Sequence, residues 1–476
     1  MYRFAYPASQ YDELNLDKNI ILTLIMKHHS MIGRKVKCKE YYDGIHEILS
    51  RERQDGLPNA KVVCNHAKDI TDTATGYFMG NPITYSNTDD ADIEPLLSAF
   101  DDADVDEVDA DNAQDMSIYG LAYEYVYAKK DESKPAVKNI SPLSTFIVVD
   151  DSIEENELFG VYYYPMRNDA KDIVTWVATV STQNYKYVLS IINDPNTKQV
   201  VTETPEPHYF GGIQIIEYLN NKEGIGDFEQ QIPLIDAYNA LMSDRVTDKD
   251  QFIDAILVLY GAIMGDDTEE TKKAQEELRQ KKLLELPPDA KAEYLTRALD
   301  ENGAEVLRKA LKEDIYNFSH VPNLTDENFA GNTSGVAMEY KLLGLEMITK
   351  VKERYYRKGL QKRMILFCNY LNMQAIAQDA SSVIPTFSRS LPKNLQELAA
   401  TLSTMKDFVS MKTLIKQIPF VEDPDQELEV VKEEKAEAVR QQQELFAQGA
   451  NTPPEDEEPE EETKEEEKEP EQKEEE

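Results

Sequence analysis

The chain has 476 residues, with 90 Asp and Glu against 51 Lys and Arg, a formal charge of −39 at pH 7. Its length allows about two to four domains. The acidity excludes a protein that grips nucleic acid through a broad basic face, because affinity for phosphates comes mainly from Lys and Arg; no run of about 18 apolar residues occurs, so no membrane-spanning helix is expected.

The terminal stretch Pro453–Glu476 carries 15 acids and 3 lysines, yet the rest still holds −27, so the charge is not only that of a tail. Cys38, Cys64 and Cys368 are scattered without a CxxC pair and read as buried free thiols in a reducing cytosol. Met1 to Pro7 lacks the apolar core of a signal peptide. A soluble protein made in the cytoplasm is expected.

Residues 12–80 read as mainly helical. Asn65 or Asp69 can cap a helix carrying Ile70, Ala74, Tyr77 and Phe78, stopped at Gly80-Asn81-Pro82. A short helix follows near Ile93–Phe100. From Ile118 to about Leu219 the period falls to two, as in Leu121–Tyr127, Gly160–Tyr164 and Ile173–Val180, with turn residues such as Asn193-Asp194-Pro195-Asn196 between runs. This predicts an antiparallel sheet packed on helices, in which clustered tyrosines pack across strands. Helical spacing returns at Pro233. Leu234, Ile235, Tyr238, Leu241, Met242, Val246, Phe252, Ile253, Ile256 and Leu257 form one stripe. Asp236, Asn239, Asp244, Thr247, Asp250, Gln251 and Asp254 form the opposite, solvent-facing side.

An insert of about 40 residues follows, with an acidic helix near Glu269–Gln280, β-like runs at Leu283–Leu286 and Ala292–Leu295, and a turn at Pro287-Pro288-Asp289. A second helix returns with Ala304, Leu307, Leu311, Ile315 and Phe318 on one side and Arg308, Lys309, Lys312 and Glu313 on the other. Helix, insert and helix suggest a stalk with a tip. A polar loop, Val321 to Gly335, then leads into a proline-free stretch from Val336 to about Gln378. There Val336, Tyr340, Leu343, Met347, Val351 and Tyr355 recur at helical spacing, which predicts a helix on the order of 65 Å long. Such a helix needs neighbours along its length and suits a subunit of a large assembly. After breaks at Pro385 and Pro392, helices are expected from Asn394 (Leu395, Leu398, Leu402 and Met405 on one face), over Ser410–Gln417, and over Asp425–Phe446. The last segment, Glu, Lys and Pro without apolar residues, has the composition of a disordered tail.

Catalytic patterns are missing. Gly331-Asn332-Thr333-Ser334-Gly335 lacks the Lys of a phosphate loop and follows no buried strand. Asp102, Asp104, Asp106, Asp109 and Asp111 are spaced like calcium ligands, but Glu107 and Ala113 stand where an EF-hand needs Gly and Glu. A solvated, acidic helix start is the better account. The six histidines form no HxH or HExxH spacing, and no GxSxG elbow occurs. No enzyme and no cofactor are expected.

Several runs resemble a known family in order and spacing. Asp227 to Asn239 with Ser243-Asp244 resembles the first stem helix of portal proteins from long-tailed double-stranded DNA bacteriophages of Gram-positive bacteria. Val321-Pro322-Asn323 through Ser334-Gly335-Val336-Ala337, then Tyr340 to Glu346, is similar to that family's tunnel loop and long helix. Tyr41–His46, Asn65–Ile70, Tyr77–Pro82 and Ser117–Glu124 are similar too, so the resemblance spans about 35–430. It implies an α+β, mainly helical portal fold assembled as a ring, typically of twelve subunits, at one capsid vertex. The implied regions are a wing (1–226), a stem helix (227–260), a clip (261–300), a returning stem helix (301–320) and a tunnel loop (321–335). The long helix with the remainder of the wing (336–389), a crown (390–450) and a disordered acidic tail (451–476) complete the chain. The implied partners are further copies of the chain, double-stranded DNA in the channel, the large terminase subunit, the head–tail adaptor, and the major capsid and scaffold proteins, with no membrane. The implied location is the virion, with assembly in the host cytoplasm.

On that resemblance Asn323, Thr325, Asp326, Glu327, Asn328 and Asn332 face the DNA, and Pro287, Pro288 and Asp289 at the clip tip meet motor or adaptor. Arg308, Lys309 and Lys312 either touch DNA transiently or pair with acids of the neighbouring stem helix, the second being favoured. Two rival readings are a non-enzymatic scaffold or adaptor without a DNA channel, and a metal-dependent nuclease built on Asp102–Asp111.

Overall fold

The computed structural model describes residues 3–53, 58–88, 92–129, 133–167, 173–193, 198–202, 204–252, 256–260, 269, 272–273, 291–295, 301–324, 335–389, 395–415, 417–418, 421, 427–437 and 440. They fall into two compact units, Met1–Leu391 and Pro392–Glu476. Among the described residues no helix is long and apolar enough to cross a membrane.

The first unit opens with strand β1 (Phe4–Ala5) and helices α1 (Lys18–Met31) and α2 (Gly33–Tyr42). Helix α3 (His66–Met79) starts where the Asn65 side chain accepts the Lys68 N–H at 3.0 Å, the predicted cap. Strand β2 (Thr84–Asn87), α4 (Glu94–Asp101) and α5 (Val105–Tyr119) follow. Helix α5 ends at Gly120, whose φ is +82°; a Cβ there would sit 2.2 Å from the Gly224 carbonyl oxygen. Only glycine allows both the left-handed turn and that approach.

The β region forms two sheets rather than the single sheet expected. β3 (Leu121–Ala128), β4 (Pro135–Ile140) and β11 (Ile215–Leu219) make a three-stranded antiparallel sheet in the order β11-β3-β4. The larger sheet runs β1-β5-β6-β7-β8-β10, built from β5 (Thr145–Val149), β6 (Glu157–Arg167), β7 (Ile173–Ser181), β8 (Tyr185–Asn193) and β10 (Glu206–Pro207), with β9 (Lys198–Thr202) also on β8. It is antiparallel except for β1, which pairs parallel with β5. Leu121, Tyr123, Ile147, Val149 and Ile215 fill the space between the sheets. Some tyrosine neighbours lie along one strand, Tyr125 on Tyr127 and Tyr162 by Tyr164, where cross-strand pairs were expected.

The stalk comprises α6 (Ile232–Phe252), a ribbon of β12 (Ile256–Tyr260) against β13 (Lys291–Leu295), and α7 (Glu301–Ser319). Ile256 and Leu257 of the apolar stripe therefore lie in a strand, not a helix, and β12 pairs with the 291–295 run; Leu283–Leu286 lies outside the described residues. A short apolar run has no period long enough to separate the two states. Helix α8 (Gly335–Met373) has 39 residues, about 58 Å, and ends five residues before the expected Gln378. Strand β14 (Val383–Thr386) then pairs with β2. In the second unit α9 (Leu395–Met405) and α10 (Met411–Ile415) precede a helical run over 427–437. The tail lies outside the described residues.

Helix α8 bridges two cores. Leu342 and Leu345 pack with α2, α3, α6 and α7, whereas Tyr356, Leu360, Met364, Phe367 and Leu371 pack with α4, α5 and the small sheet. At the centre Arg363, fully buried, donates from Nε to Glu124 on β3 at 2.9 Å and from Nη2 to Asp109 on α5 at 2.7 Å. Tyr218 and Asn112 also donate to Glu124, and Tyr356 donates to Asp109. Asp109 is thus a buried structural acid, while Asp102 turns outward to Lys134 at 2.7 Å, so the 102–111 acids do not converge. Where α3, α6 and α7 meet, the His66 ring lies edge-on to Tyr238 and Tyr316, and its Nδ1 is 3.2 Å from the Tyr316 hydroxyl, which donates to Asp69 at 2.6 Å. Burial and the nearby Lys312 push its pKa down to about 4, against the opposing pull of Asp69.

Arg363→Ala leaves two carboxylates buried without their cation and should cost about 3–5 kcal/mol. Asp109→Asn leaves a one-to-one pair and should cost clearly less; an equal or reversed order of urea midpoints contradicts the network. For His66 the folded pKa lies below the ordinary 6.5, so the neutral ring is favoured by folding. Its contribution is whole above pH 6.5 and is lost as pH falls toward 4, by up to roughly 3 kcal/mol. His66→Gln should flatten the stability profile across that window relative to the parent chain; parallel profiles would show that His66 is not the titrating group.

Candidate functional site

The stalk is assembled by polar chemistry along both flanks of α6. On one flank Thr247, Ser243 and Asn239, four residues apart and fully buried, accept the N–H groups of Ala60, Val62 and Cys64 at 3.2, 2.9 and 2.8 Å. Two residues of extended chain advance about as far as four residues of helix, so the segment before α3 lies along α6 rung for rung. Asn239 also bonds His46 at 2.8 Å. Arg51 and Arg53 reach Asp244 at 2.8 and 2.6 Å. Asn239 and Thr247, read above as solvent-facing, are therefore interior, because an extended segment 175 to 187 residues earlier supplies donors that periodicity does not reveal.

On the other flank α6 meets α7 through charge. Arg245 pairs with Glu301 at 2.9 Å and Glu305 at 3.1 Å. Arg308 donates twice to Glu305, at 2.9 and 2.6 Å, and to the Tyr238 hydroxyl at 3.2 Å. These two guanidiniums, Arg308 foremost, hold the Glu305 carboxyl down to about 2. Arg308 is thus paired, but its acid belongs to its own helix; the neighbouring helix contributes Tyr238 and Arg245. Lys309 is exposed and Lys312 half-buried near His66. The buried side of α7 runs through Ile315, Tyr316 and Ser319, which leaves Val306, Leu307 and Phe318, at 70, 50 and 64 % exposure, outside.

Helix α8 carries two different faces. The stripe named from the sequence is the outer one: Tyr340, Leu343 and Met347 are 74, 51 and 63 % exposed, and Val351 follows on the same side. The inner side uses Leu342, Leu345, Thr349, Lys352, Tyr356 and Arg363, with Lys352 bonded to the buried Asp227. The inner polar positions hid this face from a count of apolar residues. At the loop before α8, Val321 is buried, its N–H bonded to the Ser319 hydroxyl at 3.2 Å, and Asn323 is half-buried. Thr325, Asp326, Glu327, Asn328 and Asn332, and the tip residues Pro287, Pro288 and Asp289, lie outside the described residues.

Known proteins match over most of this architecture. A family model described as phage portal protein, SPP1 Gp6-like, matches residues 23–441. The chain is 24 % identical over 413 residues to the portal protein of Bacillus phage SPP1, covering 84 % of this chain and 80 % of that one. It is 23 % identical over 233 residues to the portal protein of Clostridium phage phiCD119, covering 48 % of this chain and 50 % of that one.

Proposed function

The chain belongs to the SPP1 Gp6-like family of phage portal proteins, and from that premise we propose that its copies, twelve in the family's usual number, close into a ring at one capsid vertex through which double-stranded DNA is packaged and ejected. The observation that carries the ring is the outer face of α8 together with that of α7. Tyr340, Leu343, Met347 and Val351 run along one helix and Val306, Leu307 and Phe318 along the other, all exposed in the single chain. Monomeric proteins seldom leave apolar stripes of this extent to water. A second copy covers them.

In this reading the protein is a passive conduit and assembly hub. The large terminase subunit supplies ATP hydrolysis, the head–tail adaptor later takes its place below the clip, and capsid and scaffold proteins surround the wing. The acidic stalk suits a bore that DNA must slide through, since each cation facing it would be repeated around the ring and bind phosphate. The pairing of Arg308 and Arg245 with Glu301 and Glu305 takes two such cations out of play. Residues 321–335 form the narrowest part, where Asn323, Thr325, Asp326, Glu327, Asn328 and Asn332 offer polar groups without positive charge. Wing, stem, clip, crown and tail keep the boundaries given above, with the stem helix ending at Phe252.

Leu343→Glu with Met347→Glu places two charges per copy on the outer stripe. Rings should give way to monomers and small oligomers in mass photometry, with unchanged far-ultraviolet circular dichroism; full rings from this variant would remove the stripe from the interface. Deleting 324–331 should leave ring size unaltered in electron micrographs and impair DNA packaging or retention. Packaging at the normal rate by that deletion would rule out the loop assignment.

A further inference from the structure

The β5–β6 loop, 150–156, stands out from the larger sheet and is stiff. The Asp150 carboxylate accepts from the Ser152 N–H and hydroxyl at 3.1 and 2.6 Å, and from the Asn156 N–H and side-chain amide at 3.0 and 2.9 Å. These bonds depress the Asp150 pKa, side-chain partners first. At the tip Ile153 is fully exposed, flanked by exposed Asp151, Glu154 and Glu155. An isoleucine held in water on a rigid acidic loop loses little conformational entropy on burial, which is what an interface anchor needs.

The matching chemistry lies on α8. Residues 350–363 hold seven Lys and Arg against one Glu in a chain of charge −39. The inner cations Lys352 and Arg363 are spent on Asp227, Glu124 and Asp109. The acids Glu346 and Glu353 are drawn to one flank by Arg389, at 2.9 Å each. Arg357 pairs with Glu353 and Lys362 with Glu157. Arg354 and Lys358, with Lys350 exposed but 3.5 Å from Glu346, surround the outward Met347 and Val351, beside a cavity of about 640 Å³ lined by Tyr355, Lys358, Leu219 and Lys222, with Glu157, Glu217 and Glu223 also in its wall. Exposed apolar side chains ringed by cations answer an exposed apolar side chain ringed by acids.

Resting on the ring reading, we propose that the 150–156 loop of one copy docks on the α8 face of the next, with Ile153 against Met347, Val351 and Tyr355, and Asp151, Glu154 and Glu155 opposite Lys350, Arg354 and Lys358. The contact continues the apolar stripe and is heterologous, as ring closure requires. Charge complementarity selects a second copy as occupant, and the acids fix its register.

The double variant Ile153→Cys with Val351→Cys, in the full chain, tests this. Mild oxidation should give a ladder of covalent oligomers on a denaturing gel, which neither single variant gives. Rings in micrographs without the ladder overturn the docking and leave the ring reading standing; a parent chain that never forms rings overturns both. In a second arm, Glu154→Lys with Glu155→Lys, and separately Arg354→Glu with Lys358→Glu, should each cut ring yield roughly tenfold, about 1.4 kcal/mol. The combined four-fold variant should recover it. Loss without recovery assigns the loop to a different basic protein and refutes the proposal, as do charge reversals that leave ring yield unchanged.

Discussion

One arginine sets the frame. Arg363 is buried among α5, β3, β11 and α8, and its two carboxylates come from elements that are distant in sequence. A guanidinium so placed has no tolerable alternative position. Sliding α8 by one turn moves it about 5.4 Å and abandons Asp109 and Glu124 together. Lys352 on Asp227 pins the same face three turns earlier, and between them Gly359 lets the Tyr218 ring lie against the helix, where a Cβ would approach it to 2.2 Å. Rotation and translation are both fixed. The inner electrostatics therefore decide which residues α8 shows to a neighbour, so stability and assembly are read from opposite sides of one helix.

The stalk follows a different rule. Its root is apolar, with Ile235, Tyr238, Ile315 and Tyr316 in one core. Farther out the helices are joined by Arg245, Arg308, Glu301 and Glu305, all near solvent, and exposed pairs of this kind contribute little each. They specify register more than they stabilise. The extended 60–64 segment adds buried hydrogen bonds along the flank of α6, so much of the stalk's order is supplied by the chain that precedes α3.

Local signals in the sequence were legible and long-range ones were not. Asn65 before an apolar i, i+4 pattern marks the start of α3, and two-residue alternation marks β3, β6 and β7, because cap and period are properties of neighbouring residues. The sidedness of α6 and α8 is set by partners 125 to 254 residues away. Asn239 and Thr247 look solvent-facing until the 60–64 backbone is laid beside them. Tyr340, Leu343 and Met347 call for a neighbour, but apolar counting does not separate a face buried in the chain from one left outside it. The family resemblance supplied the assembly, which no periodicity contains; the stalk tip and most of the loop residues named from it lie outside the described residues.

In the proposed ring the chains pack against their own charge. Each copy carries −39, and net charge of one sign opposes close packing. Screening at physiological salt cuts the repulsion beyond about 8 Å, so what matters is the charge that faces the neighbour across the joint. The basic stretch of α8 makes the local sign there opposite to the global one, while the exposed apolar side chains supply an attraction that salt does not screen. An acidic stalk and cohesive flanks are thus compatible in one sequence, because the exposed cations Lys350, Arg354 and Lys358 share one face of α8, and that face is held outward by the burial of the other.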